Sequence, residues 1–391
     1  NIISTKSACL GVWIKLGSRY ENLKNNGVSH FIEHMIFKGS KKRSCFEIAK
    51  SLESVGGSLN AFTSKEFTCY FAHVLSKDLP LSIDILSDMI MNPLFDKSDI
   101  ANERNVVIEE IKSVFDTPDE LIHEHFQENV FYKHPLGYSI LGKTNNIKSF
   151  NRKIIKDNWK KNYTSNRIVV SVAGNVKHDN VVKLVEKHLS IPNGDSSIRI
   201  KRKIGKGGNK TSVIEKNIKQ AHTCLGNIGI SYYKREKYAL MVLITLLGGG
   251  MSSRLFQVVR EKHALAYTIY SFAEFLSDSG IFGIYLGTDK EKVSNAIDLV
   301  KREFGKVRNK RISSREINRI KSQLTGSLIL GLENISSRMT RLAKMELYLG
   351  KYCSLEEVLK EIDSVTSDDV LALSNRILGE ENLKITILKP Y

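Results

Sequence analysis

The sequence predicts an α+β protein built from two similar halves, and three observations carry that expectation. Its 391 residues exceed what one ordinary core encloses and suit two domains of near-equal size. Near the middle the stretch IPNGDSSIRIKRKIGKGGNKT loses hydrophobic periodicity and has the glycine, serine and lysine content of a linker. The order of strand-like and helix-like segments before that stretch also recurs after it. The expected division is residues 1–192, a linker at 193–211, and residues 212–391.

In the first half Ala8 to Leu16 reads as a strand, and a helix surrounds the histidines of GVSHFIEHMIFKGS. A helix from Phe46 to Val55 stops at Gly56-Gly57. β-Branched and aromatic residues mark strands at Ser58 to Phe62 and Thr68 to Leu75, before a helix from Leu79 to Met91. The second half repeats the order: a strand from Thr223 to Ile230, helices at Glu236 to Leu247 and Ser252 to Arg260, strands at Leu265 to Ala273 and Ile281 to Gly287, then a helix. This match points to duplication of one unit, a mixed or antiparallel sheet with helices packed on it.

Composition narrows the function classes. Hydrophobic content of 41%, charged content of 26% and only six prolines describe a folded chain. No stretch approaches the roughly 18 apolar residues of a spanning helix, so no membrane partner is expected. Cys9, Cys45, Cys69, Cys224 and Cys353 are scattered and never at C-x-x-C spacing, which argues for a reducing compartment without a cysteine metal site. The net charge of +17 reads as a solvated basic surface, because no segment joins clustered Lys/Arg to the aromatic spacing of an RNA-binding strand. A nucleic-acid-binding protein is the rival reading, and no nucleic-acid partner is expected.

The run HFIEH carries chemistry. Phe31, Ile32, Met35 and Ile36 mark a buried helix, so His30 and His34, at i and i+4, share one face. Two imidazoles can then meet one zinc ion, with Glu33 beside them as general base toward the water of a catalytic site. Such sites take three protein ligands and leave a fourth position open, so another ligand must come from elsewhere. Candidates cluster in ANERNVVIEEIK. Positions 103 and 110 lie within about 20° of each other around a helix, whereas 109 is displaced by about 100° from 110. The plainer alternative, a buried helix with two hydrogen-bonded histidines, leaves the placed glutamate and the acidic helix unexplained. His123 and His125 in LIHEHF sit at i and i+2 on different faces and read as surface or partly buried.

HFIEHMIFKG, GGSLNAFTSKEFTCY, ERNVVIEEIK and LGGGMSSRLFQVVREKHALAY together resemble the pitrilysin/insulinase family of zinc metallopeptidases, close to its processing-peptidase branch. The resemblance implies one zinc ion per chain, held by His30, His34 and Glu110, with Glu33 as the base and Glu103 orienting the site or assisting the water. It implies two similar α+β domains arranged as a clamshell. Arg260 and Tyr267 would serve near the substrate carbonyl. Asn60 and Ala61 would lie on a substrate-binding edge strand. Glu120 and Glu124 match acidic positions used for an arginine near the cleavage site, although Thr117, Pro118 and Glu120 also read as a capping box and helix start.

The implied activity is zinc-dependent endopeptidase cleavage of extended or unfolded, presequence-like peptides. The alternative is a catalytically silent or partner-dependent subunit of a processing peptidase complex. The resemblance further implies a homodimer, or a heterodimer, in a bacterial cytoplasm or a mitochondrial matrix.

Overall fold

A computed structural model describes residues 2–194, 204–205 and 207–391; most of the linker expected at 193–211 lies outside the described residues. The chain forms two compact units. The first comprises Asn1–Ser113, Tyr138–Arg202 and Gly331–Tyr352, the second Val114–Gly137, Lys203–Leu330 and Cys353–Tyr391. Two short segments thus leave the contiguous halves expected from sequence, each grouping with the unit built mainly from the other half.

The first unit holds a four-stranded sheet of β1 (Ser7–Ile14), β2 (Ser58–Thr63), β3 (Thr68–Leu75) and β4 (Ile168–Gly174) in the order β2-β3-β1-β4. Every pairing is antiparallel. β1 is central and buried almost throughout, because both of its faces are covered. Ala8, Leu10, Val12 and Ile14 face a core shared with Phe31, Ile32 and Met35. Trp13 on the opposite face donates to Ser171 Oγ at 3.0 Å and meets Met339 Sδ at 3.3 Å, on the helix Ile335–Leu349. Two covered faces explain why this strand reads as a continuous apolar run instead of alternating. β2, by contrast, is an edge strand with alternating exposure.

Helices α1 (Val28–Ile36), α2 (Cys45–Glu53), α3 (Leu79–Met91) and α4 (Lys97–Asp116) complete the part of this unit that builds the site. Phe31, Ile32, Met35 and Ile36 of α1 are fully buried, each stabilising the fold by roughly 1.5–3 kcal/mol relative to exposure. Ser44 and Glu47 form a capping box at the start of α2. Gly56, at φ +72°, and Gly57, whose N–H returns to the Leu52 carbonyl at 2.9 Å, end the helix where the glycine pair predicts.

The second unit contains β5 (Thr211–Lys216), β6 (Ala221–Ile228), β7 (Thr268–Phe275), β8 (Gly280–Thr288) and β9 (Lys384–Pro390), ordered β5-β9-β6-β8-β7. Only the β5–β9 pair is parallel. One face of β8 contributes Phe282, Ile284 and Leu286 to the larger core. The other, with Ile281 and Tyr285, packs with Leu121, Ile122 and Phe126 of α5 (Pro118–Val130).

Three local expectations are corrected. The helix expected at Ser252 to Arg260 becomes a π-helical turn at Phe256–Lys262. The strand expected from Leu265 begins at Thr268, so Tyr267 precedes it. At α5 Thr117 is the N-cap, but its side chain makes no capping bond; its backbone carbonyl already accepts the Glu120 N–H at 3.1 Å, and the expected box does not close.

Candidate metal centre

The site begins with the loop that launches α1. Gly27, the N-cap, sits at φ +97° and has no side chain to cap the helix. The buried carboxylate of Glu21 substitutes for one: it accepts from the N–H groups of Gly27 and Ser29, both at 2.8 Å, and from Asn26 Nδ2 at 2.9 Å. Two of the helix's otherwise unpaired N–H groups are thereby satisfied, and His30 follows directly.

One turn separates His30 from His34, and their Nε2 atoms lie 3.2 Å apart. Oε2 of Glu110 stands 3.7 Å from His30 Nε2 and 3.5 Å from His34 Nε2. Tetrahedral zinc with bonds of about 2.0–2.1 Å places neighbouring ligand atoms about 3.3 Å apart, so these separations approximate three edges of one tetrahedron. Among the described residues, His30, His34 and Glu110 form the group of His, Cys, Asp or Glu able to hold a metal ion. Two imidazole nitrogens and one carboxylate oxygen are a donor set that zinc accepts, with the fourth position left for water.

Glu103, one heptad before Glu110 on α4, accepts from His34 Nδ1 at 2.8 Å and meets Lys38 Nζ at 2.6 Å. Glu33 is buried, and its Oε2 accepts the Thr63 hydroxyl at 2.5 Å. The electrostatics follow these contacts. Burial, helped by His34, pushes His30 down to about 3, which keeps it neutral and able to ligate. Burial also lowers His34, but the Glu103 hydrogen bond and the charges of Glu110, Glu103 and Glu33 outweigh it and raise its pKa. Burial raises the Glu33 carboxyl, with the Thr63 bond and His34 opposing. Burial would raise Glu103 as well, yet its bonds to His34 and Lys38 hold it below the usual carboxylate range.

The chain is similar to known proteins along most of its length. The family model described as Insulinase (Peptidase family M16) matches residues 1–144, and that described as Peptidase M16 inactive domain matches residues 149–324. An uncharacterized zinc protease of Streptomyces coelicolor is 38% identical, covering 96% of this chain and 83% of its own. The uncharacterized zinc protease YmxG of Bacillus subtilis is 39% identical over 97% of this chain and 92% of its own.

The chain belongs to the M16 peptidase family.

Its fold agrees: a protease from Helicobacter pylori superposes with a TM-score of 0.91 at 24% identity, covering 100% of this chain and 96% of that one. A structure described as a peptidase M16 inactive domain from Pseudomonas fluorescens gives 0.90 at 20% identity, covering 99% and 94%.

The remaining residues singled out from sequence fall in both units. In the first, Asn60 is exposed and Ala61 half-buried on β2, with Asn60 Oδ1 accepting the Ala61 N–H at 2.7 Å. Arg260 lies on the π-helical turn of the second unit, with its guanidinium 4.6 Å from the Phe256 ring centroid. The Tyr267 hydroxyl donates to Asp289 Oδ1 at 3.2 Å. Glu120, exposed, and Glu124, half-buried, are one turn apart on α5.

Sequence reasoning missed Lys38 and Thr63, which lie far along the chain from the groups they hold. It also missed the packing of His123, whose Nε2 meets the Tyr270 hydroxyl at 2.8 Å and whose ring stacks on Tyr285. The half-apolar pattern of α5 was the available signal. No helix among the described residues is long and apolar enough to cross a membrane.

Proposed function

We propose that this protein is a zinc-dependent endopeptidase acting on extended or unfolded peptides. The observation that carries the reading is the convergence of His30 Nε2, His34 Nε2 and Glu110 Oε2 within 4.8 Å of one another, with Glu33 on the same helix as the two histidines. Zinc bound by those three residues would polarise a peptide carbonyl and acidify the attacking water. Glu33 takes the proton of that water and delivers it to the leaving amine nitrogen. Glu103 holds the His34 ring in place through Nδ1. The name of the second matched model, an inactive domain, applies to residues 149–324, which do not include the His30–His34 run.

Substrate recognition is assigned on the family resemblance. β2, with Asn60 and Ala61, offers an edge for backbone pairing with an extended peptide. Glu120 and Glu124 are assigned to a basic side chain near the cleavage site. Arg260 and Tyr267 are assigned as donors to the developing oxyanion.

The deciding experiment measures zinc content together with cleavage of an arginine-containing quenched peptide, for the wild type, Glu33→Gln and a chelated sample. One zinc per chain, with cleavage lost in both controls, supports the proposal. Zinc without cleavage points to a silent or partner-dependent subunit. Failure to take up zinc on reconstitution overturns the reading.

A further inference from the structure

Thr63 closes β2, and its hydroxyl reaches Glu33 Oε2 at 2.5 Å. Among the described residues it is the one hydrogen-bond partner of that carboxylate. The same hydroxyl stands 3.2 Å from Oγ1 of Thr68, its cross-strand partner on β3. Thr68 is fully buried and donates to the Leu16 carbonyl at 3.0 Å. A chain of hydroxyls thus links the carboxylate to a backbone acceptor.

We propose that Thr63 is a positioning residue for Glu33, holding Oε2 and with it the orientation of the carboxylate, and that Thr68 completes this support. The inference rests on the peptidase reading above. In that reaction the proton passes from the attacking water to Glu33 and then to the leaving amine, and neither threonine loses one. The Thr63 hydroxyl donates to Oε2 and so fixes the orientation of the carboxylate. The Thr68 hydroxyl, whose hydrogen goes to the Leu16 carbonyl, sets its oxygen 3.2 Å from that of Thr63 and holds the Thr63 side chain in place.

The test uses the zinc-loaded full chain as wild type, Thr63→Val, Thr63→Ser, Thr68→Val and the double valine variant. Steady-state cleavage of a quenched peptide and zinc affinity by chelator competition are read for each, with Thr63→Ala used where valine prevents folding. Thr63→Val lowers kcat roughly tenfold, a fraction of the roughly 10²–10⁴ that a general base contributes, while KM and zinc affinity stay within about twofold of wild type. Thr63→Ser restores kcat. Thr68→Val costs a few-fold alone and nothing further beside Thr63→Val, as expected of groups acting as one unit. The assignment is overturned by unchanged kcat in Thr63→Val, by loss of zinc in that variant, by failure of serine to rescue, or by additive effects of the two valines. A zinc-loaded wild type that cleaves nothing overturns the peptidase reading and this inference with it. An active wild type with an equally active Thr63→Val overturns the inference alone.

Discussion

Glu103 accepts a 2.8 Å hydrogen bond from Nδ1 of His34. The bond fixes which nitrogen carries the hydrogen and leaves the lone pair of Nε2 for the proposed zinc ion. Lys38, at 2.6 Å from the other carboxylate oxygen, keeps Glu103 an anion. His30 differs, for its buried Nδ1 has no hydrogen-bond partner among the described residues, so the orienting contact falls on one histidine. Glu103→Ala is expected to weaken zinc binding by about 10–100-fold, and Lys38→Met to weaken it less. Competition with a chelator of known affinity measures both, and an unchanged dissociation constant in Glu103→Ala would sink this account.

Metal binding should also appear as stability. A ligand that binds only the folded chain stabilises it by about 4 kcal/mol when present at about 1,000 times its dissociation constant. The melting temperature of the apoprotein should therefore rise on adding zinc. Because Glu110 Oε2 is the one carboxylate oxygen in the donor group, the rise should shrink sharply in Glu110→Ala. Equal zinc-induced shifts in wild type and Glu110→Ala would show that this glutamate is not a ligand.

What was legible in the sequence follows from chain distance. His30, Glu33 and His34 share one helix, and Glu103 and Glu110 share another, so helical spacing alone aligns each set. Thr63 meets Glu33 and Lys38 meets Glu103 only after the sheet and helices have assembled, and a hydroxyl or a lysine gives no periodic signal. Trp13 is likewise read correctly as strand, yet its sulfur neighbour Met339 is 326 residues away. The segments containing α5 and the Ile335–Leu349 helix were not placed for the same reason. Their helical pattern is visible, but the sheet each one covers is specified by contacts distant in sequence.

Gly27 gives a test of how the metal helix is launched. Its φ of +97° disfavours any side chain, and a Cβ there would lie 2.8 Å from both the Gly142 Cα and the Leu141 carbonyl oxygen. Neither is the end of a flexible side chain, so relief requires backbone movement. Gly27→Ala should destabilise the protein by about 2 kcal/mol or more and lower zinc affinity by displacing the first turn of α1. Denaturant midpoints would check the first effect, and a variant as stable as wild type would show that the loop yields freely.

In the second unit, Arg254 grips Glu316 with two bonds, Nε to Oε1 at 2.9 Å and the terminal nitrogen Nη2 to Oε2 at 2.6 Å. Both side chains are about one-quarter exposed. The guanidinium, through this hydrogen bonding and its charge, holds the Glu316 carboxyl below the usual range, with burial opposing. Between the lowered folded value and the ordinary glutamate value of about 4.3, the unfolded chain binds more protons, so stability rises with pH. The contribution is fully present above that ordinary value and disappears as pH falls through the folded value. Glu316→Gln should therefore cost about 1 kcal/mol at pH 7, the upper range for a partly exposed pair of good geometry. The gap between wild type and variant should close as acid is added below about pH 4. Denaturant unfolding of both proteins across that range measures it, and a gap that stayed constant would mean that the pair contributes through shape and not through charge.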